Sequence, residues 1–224
     1  MAAEQIFVKI CGLRDAVSAR VAIESGADAL GFILARSRRQ IRPESVQEIR
    51  RSLAPCVRDM PRSGITPPLV GVVVNASPGE ISALVEESGV DMIQLSGDEA
   101  PEILASIDVP AIKALRFPSG LPVEDALRQV SVWLDGPRPV DHVIVEGHAD
   151  GSYGGTGTRA DWAFVAEVAK RYPIILAGGL DPENVGDAIS AVRPFGVDVS
   201  SGIETNGVKD HGKIRRFFAS ARHP

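Results

Sequence analysis

The amino-acid sequence predicts an α/β fold, a (βα)8 TIM barrel that forms a single domain over residues 1–224. Short apolar segments of strand length alternate with helical segments, and each kind occurs eight times. The strand segments are almost wholly apolar, as expected for parallel strands that are buried on both faces. A length of 224 residues also suits one barrel, since α/β barrels run to about 200–250 residues as one domain.

The predicted strands are apolar segments with the length of a buried strand. They are Phe7–Ile10, Ala29–Leu34, Leu69–Val74, Met92–Leu95, Ala111–Leu115, a strand containing Val143–Val145 that ends at Glu146, Ile174–Ala177 and Gly196–Val199. An open doubly wound sheet has the same alternation, but no glycine-rich dinucleotide fingerprint follows the first strand. The number of strands and a phosphate-binding pattern after the last two favour the closed barrel.

The helices are predicted from apolar residues at helical spacing and from capping residues at their ends. They are Arg14–Ser25, Pro43–Leu53, Pro78–Ser88, Pro101–Ile107, Glu124–Trp133, Ala160–Lys170, a helix between Asp181 and Pro194, and Asp210–Ala221. In the first helix, Val17, Val21 and Ile23 have helical spacing, and Gly26 is the expected C-cap. The segment Arg58–Pro68 is predicted to form an exposed connection, because it is rich in proline, glycine and arginine.

Two turns near the C-terminus each follow a predicted strand directly. Gly178-Gly179 follows the seventh strand and Ser200-Ser201-Gly202 follows the eighth, while Asp181 and Pro182 are expected to begin the helix between them. Glycine allows backbone N–H groups to approach an anion, and the serines add hydroxyl donors. Either turn alone would be only a tight turn, but (βα)8 barrels usually bind phosphate in the loops after strands seven and eight. The pair of turns therefore predicts a phosphate site.

The composition of the chain limits its partners and location. Net charge is −5, from 24 basic and 29 acidic residues, and there is no basic stripe, which argues against nucleic-acid and anionic-membrane partners. The N-terminus has no signal-peptide pattern, and no apolar run is long enough to span a bilayer. We therefore expect a cytoplasmic protein whose two cysteines, Cys11 and Cys56, are free thiols. The histidines have no metal-ligand spacing, so no metal is expected.

The residues at the carboxyl ends of the strands are the candidates for chemistry, because functional groups of (βα)8 barrels lie there. Cys11 follows the first strand and precedes a glycine, which fits either a reactive thiol or a small buried side chain. Glu146 closes an apolar strand, where desolvation would raise its pKa toward the range of a general acid, unless it is simply solvated. Asp150, in the glycine-rich loop Gly147–Gly157, competes for that role. The other polar residues at strand ends are the arginines of residues 36–42, Asn75, Ser96, Asp98, Arg116 and Asp198.

Motifs along nearly the whole chain carry a family resemblance. They are VKICGLRD (8–15), SGADALGFILARSRRQI (25–41), VGVVVN (70–75), IQLSGDE (93–99), YGGTGTRADW (153–162), LAGGLDPENV (176–185), AVRPFGVDVSSGIE (191–204) and KDH (209–211). With these motifs in this order, the sequence closely resembles phosphoribosylanthranilate isomerase of tryptophan biosynthesis.

The resemblance implies an Amadori rearrangement without a cofactor. The substrate would be a small phosphosugar, N-(5′-phosphoribosyl)anthranilate, and the product 1-(2-carboxyphenylamino)-1-deoxyribulose 5-phosphate. The resemblance also implies that Cys11 is the general base for the sugar C2′ proton and that Glu146 protonates the ring oxygen. It implies that Arg39 binds the anthranilate carboxylate and that Asp198 faces or orients the substrate. The phosphate would be bound by backbone amides around Gly178, Gly179, Ser200, Ser201 and Gly202.

The sequence departs from the family pattern at two positions. Glu146 stands where the family usually has aspartate, and Ser96 stands where it commonly has histidine. An added methylene displaces a carboxyl group, and a displacement of about 1 Å can cost about a hundredfold in rate. One alternative is an isomerase of a related phosphoribosyl amine, against which Cys11 argues because that family typically has aspartate there. The other is a non-catalytic phosphate-binding barrel. The sequence leaves open whether the chain is a monomer or a homodimer.

Overall fold

Eight parallel strands form a closed barrel in which β8 pairs with β1. The structure is a computed structural model, and it describes residues 5–53, 67–146 and 161–222. The strands are β1 (Phe7–Ile10), β2 (Ala29–Ile33), β3 (Leu69–Val73), β4 (Met92–Leu95), β5 (Ala111–Arg116), β6 (His142–Glu146), β7 (Ile174–Leu176) and β8 (Gly196–Val199). The predicted (βα)8 fold is confirmed.

Helices follow the strands along the chain. Among the described residues the α-helices are α1 (Ala16–Ser25), α2 (Pro43–Leu53), α3 (Pro78–Ser88), α4 (Val123–Leu134), α5 (Trp162–Ala169), α6 (Val185–Val192) and α7 (His211–Arg222). A six-residue 3₁₀ helix, Pro101–Ser106, occupies the place between β4 and β5 where a short helix was predicted. Every predicted helical segment is therefore found, with small shifts at the ends.

The first helix illustrates how local side chains set these ends. The Asp15 side chain accepts a hydrogen bond from the Ser18 N–H and caps α1, so the helix begins two residues later than predicted. Gly26 ends it with a φ of 99°, as predicted. Val17 does not share the buried face, because that face is formed around Ser18 and Ala22, and the Val17 side chain is 60% exposed.

The helix before β8 begins later than predicted, and the prediction that Asp181 caps it is wrong. Helix α6 starts at Val185, with Asn184 at the N-cap position. The Asn184 side-chain oxygen accepts from the Asp181 N–H, and its amide nitrogen donates to the Gly179 carbonyl. These bonds hold the residues before Val185 in a turn, which fixes the helix start against Gly179.

The barrel interior changes from apolar to polar along its axis. A small apolar cluster fills the barrel with Ala29, Val70, Ile112, Ala114, Ile144, Ile175 and Ala177. The Phe195 ring stacks on both Phe7 and His142 beside the first residues of β1, β6 and β8, and the three ring centroids lie 5.1–5.5 Å apart. Because side chains alternate along β1, Lys9 lies on the same inner side as Phe7, and the charged side chain is the one nearer the carboxyl end of the strand. The larger core lies between the strands and the surrounding helices.

A short antiparallel hairpin after β8 was not predicted. Its strands are β9 (Glu204–Thr205) and β10 (Val208–Lys209), joined by Asn206 and Gly207 with φ angles of 53° and 77°. An Asn-Gly pair with two positive φ angles is the usual signal for a two-residue hairpin turn, and this signal is present in the sequence.

Some of the sequence predictions fall outside the described residues. These are the predictions for Cys56, for Asp150 and the loop Gly147–Gly157, and for most of the connection Arg58–Pro68. Within the described ranges, no helix has both the length and the apolar character needed to cross a membrane.

Candidate active site

Side chains from β6, β8 and the end of β1 meet at the carboxyl end of the barrel. Cys11 follows β1 and is 6% exposed, Asp198 in β8 is 9% exposed, and the Glu146 side chain at the end of β6 is 14% exposed. Only β7 and β8 separate β6 from β1 in the closed ring, so Asp198 lies between the other two. The structure thus brings three of the predicted site residues to one end of the barrel.

The Cys11 thiol faces the barrel interior beside Lys9. Glycine at position 31 of the neighbouring strand β2 provides the space, because a Cβ there would lie 2.8 Å from Cys11 Sγ and 3.1 Å from Lys9 Nζ. Burial raises the pKa of the Cys11 thiol, whereas the charges of Lys9 and Lys209 lower it and the charge of Asp198 raises it further. The thiol is therefore buried but surrounded by charged groups, unlike a cysteine in an apolar core.

Glu146 is held by an arginine from the neighbouring strand. Arg116 Nε donates to Glu146 Oε2 at 3.0 Å, and Arg116 Nη2 donates to the Ser96 carbonyl. Burial raises the pKa of Glu146, and the charge and hydrogen bond of Arg116 lower it in part. A desolvated carboxyl group of this kind was predicted, but its partner Arg116 was noted only as a polar strand end.

A buried ion pair lies between Cys11 and Glu146. Lys9 Nζ donates to Asp198 Oδ1 at 2.9 Å, and Lys9 has no exposed surface. Burial alone would lower the pKa of Lys9, but the charges and hydrogen bonds of Asp198 and Cys11 raise it above its usual value. Lys9 was not predicted as a site residue, although a lysine inside the apolar strand Phe7–Ile10 is an unusual residue that could have been noticed.

Arg39 is fixed by a second ion pair. Its Nε and Nη2 donate to the two carboxylate oxygens of Glu204 at 2.6 and 3.0 Å, and Arg39 is 5% exposed. Lys209 Nζ donates to the same carboxylate at 3.0 Å. Burial would raise the pKa of Glu204, but the hydrogen bonds and charges of Arg39 and Lys209 lower it to about 2. Arg39 lies beside the site, since a Cβ at Gly12 would be 2.8 Å from Arg39 Cδ and 2.9 Å from Ser200 Oγ.

The two predicted phosphate-binding turns touch each other. Gly178 and Gly179 adopt φ angles of 97° and 63°, which favour glycine. A Cβ at Gly202 would lie 1.9 Å from the Leu180 carbonyl oxygen, so only glycine allows the second turn to pack on the first. In the part of the chain that the structure describes, the N–H groups of Gly178, Gly179 and Ser201 have no hydrogen-bond acceptor. Backbone donors in this arrangement suit an anion.

The structure adds Lys9, Glu204 and Lys209 to the residues found by sequence reasoning. Lys209 also donates to the Ser200 carbonyl at 2.8 Å, so the β9–β10 hairpin connects the second turn to Arg39 through Glu204. The sequence signal for Glu204 and Lys209 was their position on either side of the Asn206-Gly207 turn. Together, fold and site define a class of protein: a (βα)8 barrel with a buried thiol, a largely buried carboxyl group and, among the described residues, two turns with unbonded backbone N–H groups at the carboxyl ends of its strands.

Comparison with known proteins identifies the family within this class. The family model for N-(5′-phosphoribosyl)anthranilate (PRA) isomerase matches residues 8–220. The chain is 46% identical over 219 residues to the N-(5′-phosphoribosyl)anthranilate isomerase of Roseiflexus castenholzii, covering 97% of this chain and 98% of that one. The chain belongs to the N-(5′-phosphoribosyl)anthranilate isomerase family.

Solved structures agree with this assignment. The phosphoribosylanthranilate isomerase of Thermotoga maritima matches with a TM-score of 0.79 and 32% identity, covering 98% of this chain and 100% of that one. A family structure in complex with reduced 1-(o-carboxyphenylamino)-1-deoxyribulose 5-phosphate matches with a TM-score of 0.76, 32% identity and the same coverage. The predicted family and enzyme class, an isomerase of tryptophan biosynthesis, are confirmed.

Proposed function

We propose that this chain converts N-(5′-phosphoribosyl)anthranilate to 1-(2-carboxyphenylamino)-1-deoxyribulose 5-phosphate, with Glu146 as the general acid and Cys11 as the general base. The observation that carries the proposal is the convergence of a buried thiol and a largely buried carboxyl group at one end of the barrel. The charges of Lys9 and Asp198, which lie between the two groups, shift the pKa of both. Two groups of opposite role on two sides of a substrate suffice for general acid–base catalysis.

Glu146 is suited to the first step. Because burial raises its pKa, its carboxyl group retains a proton at higher pH than a solvated glutamate does. In the proposed step this proton passes to the ring oxygen while the bond between C1′ and that oxygen breaks. The nitrogen lone pair then forms the C1′–N double bond, which leaves an open-chain iminium ion.

Cys11 is suited to the second step. Its thiolate accepts the C2′ proton, and the electron pair of that C–H bond neutralises the iminium ion to give an enolamine. The enolamine becomes the ketose when the C2′ hydroxyl loses a proton and C1′ gains one. One proton has been added to the ring oxygen and one removed from C2′, so the overall reaction is an isomerisation and needs no cofactor.

The remaining predicted residues would bind the substrate. The N–H groups of Gly178, Gly179, Ser201 and Gly202, with the Ser200 hydroxyl, would bind the phosphate. Arg39 would bind the anthranilate carboxylate through the guanidinium edge that Glu204 does not occupy. Asp198 would orient the reacting part of the substrate from between the acid and the base.

Several features of the chain in the cell remain predictions from the sequence. These are its cytoplasmic location, its single-domain organisation, and the lack of a metal, a nucleic-acid partner and a membrane partner. The oligomeric state is proposed as monomer or homodimer. A matching structure with a TM-score of 0.76 describes the Thermotoga maritima enzyme as dimeric.

The proposal is tested by following the loss of phosphoribosylanthranilate fluorescence. We expect turnover by the unmodified chain and a loss of about a hundredfold or more in kcat for Cys11→Ser and for Glu146→Gln, since each removes an acid–base group. Cys56→Ser is the matched control, because it removes the other cysteine of the chain.

Two outcomes would contradict the proposal. Unchanged turnover in Glu146→Gln would show that Glu146 is not the acid and would make Asp150 the next candidate. No turnover in the unmodified chain, with the phosphorylated product still bound, would favour a non-catalytic phosphate-binding barrel.

A further inference from the structure

Lys9 is a fully buried lysine beneath the active site that the mechanism above does not use. We propose that Lys9 is a positioning residue for the Cys11 thiolate, and that Asp198 holds the Lys9 ammonium in place beneath the sulfur. The inference rests on the proposed role of Cys11 as the general base. It adds a residue that would act through Cys11 without touching the substrate.

The backbone places the ammonium and the thiol together. Lys9 and Cys11 are two residues apart at the end of β1, so their side chains point to the same side of the sheet. Both approach Gly31 of β2, where a Cβ would lie 3.1 Å from Lys9 Nζ and 2.8 Å from Cys11 Sγ. A residue with a side chain at position 31 would force these two groups away, so the glycine provides the space that they share.

Asp198 fixes the position of the ammonium from the other side. Residues Lys9 and Asp198 are direct partners in the pairing of β1 with β8, and Lys9 Nζ lies 2.9 Å from Asp198 Oδ1. An ammonium group has three donors, so the bond to Asp198 leaves others that can point toward the sulfur. A long flexible side chain is thereby held in one place inside the barrel.

A buried thiolate needs such a positive charge. Transfer of an anion out of water is costly unless a charge or hydrogen-bond donor compensates for the lost solvation. The charged groups that face Cys11 are Lys9 on its own strand, Asp198 on β8 and Lys209 on β10, while Glu146 interacts with Lys9 and Asp198. The charge of Lys9 lowers the pKa of the thiol more than the charge of Lys209 does, and the Lys209 ammonium is also bonded to Glu204 and Ser200.

The two members of the ion pair should have opposite effects on the thiol. Removing Lys9 takes away the positive charge, so the thiolate becomes harder to form. Removing the charge of Asp198 takes away a nearby anion, so the thiolate becomes easier to form. A general loosening of the structure would shift both variants in the same direction, so the opposite signs identify an electrostatic role.

The test measures the titration of Cys11 in the absence of substrate. In a Cys56→Ser background, Cys11 is the only thiol of the chain, and its rate of alkylation by iodoacetamide is followed from neutral to alkaline pH. We expect Lys9→Met to move the titration midpoint upward by about one pH unit, so that alkylation below the midpoint slows about tenfold. We expect Asp198→Asn to move the midpoint downward.

A second buried lysine provides the matched control. Lys113 is 3% exposed and its Nζ lies 2.6 Å from Glu99 Oε2, but it packs over the Trp133 ring on the helix side of the sheet. Lys113→Met therefore removes a comparable buried ion pair away from Cys11. We expect it to leave the midpoint of the Cys11 titration unchanged.

The double variant Lys9→Met with Asp198→Asn removes both charges of the ion pair, so it keeps the test informative if Lys9→Met fails to fold. Its midpoint should lie above that of Asp198→Asn. Equal midpoints in these two proteins, or in Lys9→Met and its parent, would overturn the inference. The titration needs no substrate, so its result stays separate from that of the turnover assay. If turnover is present, kcat should fall in Lys9→Met with little change in KM.

Discussion

Glu204→Gln tests whether the β9–β10 hairpin determines the position of Arg39. Glu204 accepts two hydrogen bonds from Arg39, at 2.6 and 3.0 Å, and one from Lys209 at 3.0 Å. Glutamine retains one oxygen acceptor but not the charge. The substitution would therefore leave two buried cations without their shared anion while changing the side-chain volume little.

The size of the effect follows from the pKa of Glu204. It lies at about 2, against 4.5 for a free glutamate, and a gap of this size corresponds to about 3 kcal/mol. Because the folded-state pKa is lowered, the unfolded chain binds more protons between these two values. The stabilisation is therefore fully present above about pH 5 and is lost as the pH falls toward 2. Breaking a buried ion pair in other proteins costs a comparable amount, about 3–5 kcal/mol.

The assay is urea unfolding of both proteins at several pH values from neutral to acidic. We expect Glu204→Gln to lower the free energy of unfolding by about 3 kcal/mol at pH 7, and the difference between the two proteins to shrink steadily below about pH 5. Turnover at neutral pH should show a higher KM, because Arg39 is no longer held beside the site.

An exposed pair supplies the control. Glu167 is bonded to Lys170, and the two side chains are 50% and 65% exposed, so Glu167→Gln should change the stability by less than about 1 kcal/mol. The reasoning is refuted if Glu204→Gln resembles this control at neutral pH. It is also refuted if the loss in Glu204→Gln stays the same from neutral to acidic pH.

Two further predictions concern Arg116, which is bonded to Glu146, and Gly202 in the second turn. Arg116→Met removes the charge that lowers the pKa of Glu146, so the alkaline limb of the kcat–pH profile should move to higher pH; a shift to lower pH would contradict the role of Glu146 as the acid. Gly202→Ala would place a Cβ 1.9 Å from the Leu180 carbonyl oxygen, and we expect a loss of about 2 kcal/mol in urea unfolding and a higher KM. Gly207→Ala, whose Cβ would meet nothing within 4 Å, should cost only about 1 kcal/mol, from its positive φ, without the change in KM.

The strands of this barrel were predictable because their burial is uniform. A parallel strand covered on both faces requires apolar residues at nearly every position, and this pattern marks each of the eight strands without knowledge of their neighbours. Helix ends were less predictable where a side chain bonds to the backbone of the turn before the helix. The start of α6 depends on the bond between Asn184 and the Gly179 carbonyl, which the preference of Asp181 and Pro182 for a helix start does not reveal.

The sequence could predict candidate site residues only from their positions at the ends of strands. The rule that chemistry lies at the carboxyl ends made Cys11, Glu146 and Asp198 candidates one at a time. The partners of such residues depend on which strands become neighbours. Lys9 and Asp198 are 189 positions apart, and Arg39 and Glu204 are 165 positions apart. Each pair forms because the barrel closes, bringing β8 and the hairpin after it beside β1 and the loop after β2.

Stability alone does not explain the buried charges. Taking a lysine and an aspartate out of water costs several kcal/mol per ion, and a well-packed apolar pair of similar volume would often be at least as stable. The barrel nevertheless changes from apolar packing to charged groups toward the end of its strands where Cys11 and Glu146 lie. The closed sheet can tolerate this loss of free energy because its strands are hydrogen-bonded to one another around the barrel and its larger apolar core lies outside the barrel. We therefore expect Lys9→Met with Asp198→Met to be at least as stable as the parent chain in urea unfolding, while the midpoint of its Cys11 titration moves to higher pH.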